Sequence, residues 1–100
     1  MSAYLIVQAT VTDPAKFGPY AQGTAALVAK LGGEYIVLGD QPEVLEGDWP
    51  GGLTVISRWP SREAAKAFYE SPEYTELRQL RTDCCVAHIA LARGVDEMPE

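Results

Sequence analysis

The chain has 100 residues, of which 47% are hydrophobic and 22% are charged, and its formal net charge is −6. This length suits one domain with a modest core, and the composition is that of a globular protein rather than a disordered chain. The eight Lys and Arg residues are scattered along the sequence, which disfavours binding to nucleic acid or to an anionic membrane surface.

The N-terminus and the cysteines indicate a cytoplasmic protein. Residues 1–5 (MSAYL) lack the charged and apolar regions of a secretory signal, and no apolar run approaches the ~18 residues of a membrane span. Cys84 and Cys85 are neighbours, so a disulfide between them would close almost no loop and stabilise little. We expect both thiols to be reduced.

The first half of the chain predicts a strand, a helix and a second strand. Residues 4–11 alternate with the period of a strand. Pro19 follows Asp13-Pro14 closely, and an internal proline removes a helical hydrogen bond, so we expect a regular helix only over residues 19–31. Gly32-Gly33 ends that helix. Residues 34–39 (EYIVLG) predict the second strand, with residues 44–46 as a candidate extension.

The second half predicts a strand, two helices and a last strand. Residues 53–59 (LTVISRW) and 85–93 (CVAHIALAR) are the strands. Ser61 and Ser71 have the side chains that cap helices, which predicts helices over residues 62–70 and 72–82. Residues 94–100 are expected to form a polar, frayed tail.

This order predicts a single α+β domain over residues 1–100 with the ferredoxin-like βαββαβ arrangement, an antiparallel sheet with its helices on one face. Alternation leaves a second sheet face that mixes Tyr4, Ile6 and Ile56 with Arg58 and His88. That face is too apolar to be left in water, so we expect a homodimer that packs sheet against sheet.

Several segments resemble the DUF1330 family: residues 32–35 (GGEY), 45–49 (LEGDW), 55–61 (VISRWPS), 64–69 (AAKAFY), 71–74 (SPEY) and Arg81. The resemblance implies the dimeric α/β-barrel group of ferredoxin-like folds, in which two sheets pack face to face in a homodimer. That group includes small monooxygenases, muconolactone-type isomerases and haem chlorite dismutase-like enzymes. The family has no settled activity, so the resemblance implies a fold and not a reaction.

The strongest candidate site is on the third helix, where Tyr74, Arg78 and Arg81 are spaced i, i+4, i+7 and share one face. Two guanidinium groups and a phenol suit a carboxylate ligand. The alternative is a solvated face whose arginines pair weakly with neighbouring acids. Because Tyr74 and Arg81 fall within the resemblance, the two interpretations stand level.

Glu46 and His88 are the catalytic candidates. A carboxylate beside Trp49 in a partly buried pocket would have a raised pKa and could act as a base; the more common role is to pair with an arginine such as Arg58. His88 is the only histidine and suits acid–base chemistry or haem ligation, or simply a hydrogen bond in the interface. One histidine is too few for a structural zinc site.

We therefore expect each subunit to bind a small anionic or aromatic metabolite through Tyr74, Arg78, Arg81, Trp49 and Arg58, without a metal or cofactor. Proton transfer or cofactor-free oxygenation are the reactions that such a pocket would suit. The alternative is a non-enzymatic dimeric binding or stress-related module, and the sequence does not separate an enzyme from such a module. The motifs of dinucleotide, phosphate-loop, serine-hydrolase and zinc-peptidase sites do not occur in the sequence.

Overall fold

The computed structural model describes residues 2–39, 42–49 and 52–95. The elements follow the order β1 (Ala3–Val11), α1 (Pro14–Lys30), β2 (Glu34–Gly39), β3 (Leu53–Trp59), α2 (Arg62–Tyr69), α3 (Pro72–Cys84) and β4 (Cys85–Arg93). The strands form one antiparallel sheet in the order β2-β3-β1-β4. The predicted α+β, ferredoxin-like architecture is confirmed.

Helix α1 begins at Pro14, not at Pro19 as predicted, and Pro19 lies inside it. A proline in a helix interior lacks the N–H that would bond to the carbonyl one turn earlier, and its ring crowds the preceding residue. The preceding residue is Gly18, which carries no Cβ and stands in open space. The helix therefore continues through the proline, and Tyr20 lies well inside α1 rather than at its start.

Two serine caps fix the starts of the other helices, as predicted. The Ser61 Oγ accepts a hydrogen bond from the Ala64 N–H at 3.0 Å, and the Ser71 Oγ accepts one from the Tyr74 N–H at 3.1 Å. Such caps satisfy backbone donors that a helix leaves unpaired. The second cap also fixes Tyr74 in the first turn of α3.

The segment after β2 departs from the prediction. Residues 42–49 contain no strand, so the expected extension over residues 44–46 is wrong. Pro42 offers no N–H to a strand partner, and Gly47 has a positive φ of 77° that breaks an extended chain. The predicted tail over residues 94–100 lies mostly outside the described residues; the Gly94 N–H donates a hydrogen bond to the Ser2 carbonyl at 2.8 Å.

The sheet has a covered face and an open face. The covered face, under the helices, carries Leu5, Val7 and Ala9 of β1 and their partners in register; the open face carries Tyr4, Ile6 and Gln8 and their partners. Directly paired residues share a face. Because Tyr4 pairs with Arg58 and Gln8 with His88, both of those candidates lie on the open face.

Aromatic packing anchors the helices to the covered face. The Trp59 ring is 1% exposed, and its centroid lies 4.9 Å from that of Phe68, which in turn lies 4.8 Å from that of Tyr74. The Trp59 Nε1–H donates to the Ser57 Oγ at 2.9 Å, so the buried indole has its polar partner. A Cβ at Gly33 would meet the Trp59 ring at 2.7 Å, so glycine is required for this close approach.

Over residues 2–39, 42–49 and 52–95, none of the helices has the length and apolar character needed to cross a membrane. The same residues contain no group of three or more His, Cys, Asp or Glu side chains arranged to hold a metal ion.

Candidate ligand-binding site

A cavity of about 340 Å³ lies between the covered face of the sheet and the helices, and we call it the inner cavity. Strand residues such as Leu5, Val7 and Ile89 line one side, and Phe17, Tyr20 and Thr24 of α1 line the other. Tyr74 and Arg81 of α3 reach the same space. Most of the lining is apolar, so the few polar atoms in it decide what the cavity can hold.

Those polar atoms form a cluster of two phenols and a guanidinium. The hydroxyl oxygens of Tyr20 and Tyr74 are 2.9 Å apart, and Arg81 donates from Nη1 to the Tyr74 hydroxyl at 3.2 Å. The cluster joins two helices, because Tyr20 belongs to α1 and the other two residues belong to α3. Tyr74 is 2% exposed, so the cluster is set into the protein and is not a surface contact.

Within the described part of the chain, Arg81 has no carboxylate partner. Among the described residues, the ion pairs are Lys30 with Glu73 and Arg58 with Glu34, both between exposed side chains. Burial favours a lower pKa for Arg81, but the nearby phenols of Tyr74 and Tyr20 outweigh it and raise that pKa. The guanidinium is therefore a half-buried, permanent cation that, among the described residues, has phenol groups and no carboxylate as its polar partners. An added anion is strongly attracted in such a setting.

The other polar groups of the cavity are neutral donors. Burial, reinforced by Tyr74, raises the pKa of Tyr20, and burial also raises the pKa of Tyr35. Burial and the adjacent Cys84 raise the pKa of the Cys85 thiol to about 11. Each of these groups keeps its proton at neutral pH.

The lining also lacks a base. None of the described residues that line the inner cavity is Asp, Glu or His. The Thr24 hydroxyl is buried beside Tyr20, which adds one more polar atom to the lining. The described polar groups of the cavity are therefore of the kind that can donate hydrogen bonds to an oxyanion.

Of the three residues predicted on α3, the structure brings Tyr74 and Arg81 together and turns Arg78 away. Arg78 donates from Nη2 to the Tyr69 carbonyl at 2.7 Å, and its guanidinium lies 4.3 Å from the centre of the Tyr69 ring. It does not line the inner cavity. Its role is to hold the C-terminal end of α2 against α3.

The remaining predicted residues lie elsewhere. Glu46 and Trp49 are exposed in the segment 42–49, and neither lines the inner cavity. His88 and Arg58 are exposed on the open face, where Arg58 pairs with Glu34. The hydrogen bonds and charge of Glu34 raise the pKa of Arg58. The structure therefore does not place these four residues with Tyr74 and Arg81.

Sequence reasoning missed Tyr20 and Tyr69 as site residues. Tyr20 is 54 positions from Tyr74 in the chain, so no local motif connects them. One signal was present: Tyr20 and Thr24 are polar residues spaced i, i+4 on the same helix face as the buried Leu27 and Val28. Hydroxyl groups on an otherwise apolar face require partners or a ligand.

The sequence and the fold both have recognisable relatives. The model of a domain of unknown function, DUF1330, matches residues 2–95. No curated protein matches the sequence significantly.

Three solved structures illustrate the fold. The RPA0582 protein of unknown function from Rhodopseudomonas palustris has 15% sequence identity and a TM-score of 0.76 over 98% of this chain and 84% of its own. SnoaB, a cofactor-independent oxygenase from Streptomyces nogalater, has 19% identity and a TM-score of 0.69 over 99% and 98% of the two chains. A conserved protein from Methanosarcina mazei Go1 has 20% identity and a TM-score of 0.58 over 93% of each chain. At these identities the likeness concerns the fold alone.

Proposed function

The chain belongs to the DUF1330 family, and we propose that it binds a small, largely apolar molecule that carries one acidic oxygen in its inner cavity. The observation that carries this proposal is the Arg81 guanidinium, which faces an apolar cavity with no carboxylate partner among the described residues. A carboxylate, phenolate or enolate placed there gains a charge-assisted hydrogen bond in surroundings of low dielectric constant.

The volume of the cavity limits the size of the ligand. An apolar cavity of ~150 Å³ admits one benzene ring, and the inner cavity, at about 340 Å³, is roughly twice as large. A two-ring aromatic acid, or an aliphatic acid of similar volume, therefore suits the space. The Tyr20 and Tyr74 hydroxyls supply further donors to the anionic end.

Cofactor-free oxygenation is a second candidate function, favoured by the same cluster. Arg81 and the phenols stabilise an enolate or phenolate, which is the electron-rich form of a substrate that can reduce O₂ directly. In the balanced overall reaction, a CH₂ group and O₂ give a carbonyl group and water, with the substrate supplying the electrons. None of the described lining residues is a carboxylate or an imidazole, so this proposal takes a substrate that is acidic enough to ionise beside Arg81.

We propose further that a second copy of the chain covers the open face. Ile6 and Ile56 are half-buried there without any helix above them, and Val86 is 59% exposed. A continuous apolar patch on a sheet is commonly covered by another subunit, and a two-fold pair of identical faces is the usual arrangement. A cavity on the covered side would then be repeated once in each subunit.

A thermal-shift experiment with 2-naphthoate and its neutral amide tests the binding proposal. A ligand at ~100 times its dissociation constant stabilises a protein by ~2.7 kcal/mol, and each kcal/mol raises the melting temperature of a domain this size by ~4–8 °C. We expect the acid to stabilise the wild type and the amide to have little effect. We expect Arg81→Gln to abolish the response to the acid.

Arg62→Gln is the matched control, because it removes the same charge from an exposed position at the start of α2. This variant should respond to the acid as the wild type does. Equal stabilisation by acid and amide, or an unchanged response in Arg81→Gln, would contradict the proposal. Oxygen uptake with an ionisable naphthol in the same samples separates an oxygenase from a binding module.

A further inference from the structure

A second hollow adjoins the inner cavity on the other side of Tyr69. This outer groove, of about 640 Å³, lies between helices α2 and α3 and the β1–β4 side of the covered face. Lys66 and Glu70 of α2 and Thr75 and Arg78 of α3 line it together with apolar strand residues. It is therefore more polar than the inner cavity, and it has groups of both charges at its rim.

The two spaces share three lining residues, Leu5, Tyr69 and Ile89. Leu5 and Ile89 lie on β1 and β4 and form a floor that runs beneath both spaces. Tyr69 is the only one of the three that comes from the helix layer. Its side chain is thus the part of the helix layer that both hollows have in common, and it forms the wall between them.

Contacts from α3 hold this wall in place. The Tyr69 ring centre lies 5.5 Å from that of Tyr74, and the Arg78 guanidinium lies over the same ring at 4.3 Å. Arg78 also binds the Tyr69 carbonyl at 2.7 Å, so one side chain fixes both the backbone and the ring. Tyr69 is in addition one of the phenols that raise the pKa of Arg81, so its polar end lies near the anion-binding cluster.

We propose that Tyr69 is a specificity-determining residue that sets the maximum length of the ligand. With its anionic end at Arg81, a two-ring acid is contained in the inner cavity, because the Tyr69 ring beside this anchor separates that cavity from the outer groove. A longer acid must pass through the volume that this ring occupies before it reaches the outer groove. This inference rests on the proposed function, since it takes Arg81 as the anchor for the acid.

The test compares two acids that differ only in length, 2-naphthoate and terphenyl-4-carboxylate, by isothermal titration with wild type and variants. We expect wild type to bind the short acid at least about tenfold more tightly than the long one. Tyr69→Ala joins the two spaces, so it should lose most of this selectivity by gaining affinity for the long acid. Tyr69→Phe keeps the ring without the hydroxyl and should retain the wild-type selectivity.

Tyr35→Ala is the matched control, because Tyr35 lines the inner cavity but not the outer groove. It enlarges the inner cavity without opening the wall, and it should leave the long acid excluded. Tyr69→Leu, which shortens the side chain but keeps it apolar, replaces Tyr69→Ala if the latter does not fold.

The outcomes separate the two proposals. If 2-naphthoate binds to wild type but Tyr69→Ala keeps the wild-type selectivity, or Tyr35→Ala admits the long acid equally well, the role of Tyr69 is overturned and the proposed function stands. Tight binding of the long acid to wild type overturns the role of Tyr69 in the same way. If neither acid binds to wild type or to Tyr69→Ala, both proposals are wrong.

Discussion

Side chains of each strand alternate between the two faces of the sheet. The two faces differ in the surroundings of their polar groups. On the covered face, the Ser57 hydroxyl and the Tyr20–Tyr74–Arg81 cluster are enclosed by apolar packing. On the open face, Arg58 and His88 are exposed. A charge in water is screened and interacts weakly, whereas a charge in an apolar cavity acts strongly on whatever enters it. This difference is the reason that we propose the binding site on the covered face.

Glu46 and His88, the residue types most often associated with acid–base chemistry, lie outside the cluster. Both are exposed in the described structure, where water screens a charge. The cluster instead consists of two tyrosines and an arginine, whose side chains can donate hydrogen bonds to an anion.

Replacing Trp59 should destabilise the protein far more than replacing Trp49. Trp59 is 1% exposed at the centre of the packing on the covered face, and Trp49 is 44% exposed in the segment 42–49. We expect Trp59→Ala to lower the free energy of unfolding by ~3–5 kcal/mol, and Trp49→Ala to change it by less than ~0.5 kcal/mol. Urea denaturation of both variants measures this difference. Equal losses would mean that the segment 42–49 packs against the domain in solution.

A charge on the open face is expected to act on association and not on folding. Ile56→Lys places an ammonium group beside Ile6, its partner in register, where we propose that a second copy packs. Sedimentation velocity should show a dimer for wild type and mainly monomer for the variant, because an unpaired charge is costly to bury. Ala67→Lys, on the exposed surface of α2, is the control, because it adds the same positive charge away from the open face. A wild type that stays monomeric at all concentrations would contradict the dimer.

Much of this fold could be predicted from local patterns. Period-two alternation located β1, and β-branched and aromatic residues located β2. Ser61 and Ser71 located the starts of α2 and α3. These signals succeed because a cap or a strand face depends on a few neighbouring residues. The start of α1 was predicted wrongly because a proline normally ends a helix, whereas here α1 continues through Pro19, which follows Gly18, a residue without a Cβ.

The site was predictable only in part, and for a physical reason. Helical spacing correctly grouped Tyr74 with Arg81, but it could not show that Arg78 turns to the Tyr69 carbonyl. Spacing defines a face of a helix, whereas the partner of a long side chain depends on what the tertiary structure brings near it. Tyr20 joins the cluster from another helix, so its role follows from the packing of α1 and not from any motif.

The Cys85 thiol lies in apolar surroundings on the covered face, so the stability of the protein should depend weakly on pH. Burial and Cys84 raise the pKa of Cys85 from 9.0 to about 11. A group whose pKa is raised by folding stabilises the native state fully below the unfolded pKa, and that contribution is lost as the pH rises through the folded value. Wild type should therefore lose stability, on the order of 1 kcal/mol, between pH 9 and about 11 relative to Cys85→Ala.

Urea denaturation of both proteins at intervals across that range measures the effect. The difference between the two free energies of unfolding isolates Cys85, because lysines and tyrosines titrate in both proteins alike. The free energy of unfolding of wild type should exceed that of Cys85→Ala by the largest amount at pH 8. This difference should decrease as the unfolded thiol ionises. If the difference in free energy of unfolding stays constant from pH 8 to pH 11, Cys85 titrates as it does in water. The inner cavity would then be open to solvent at that end.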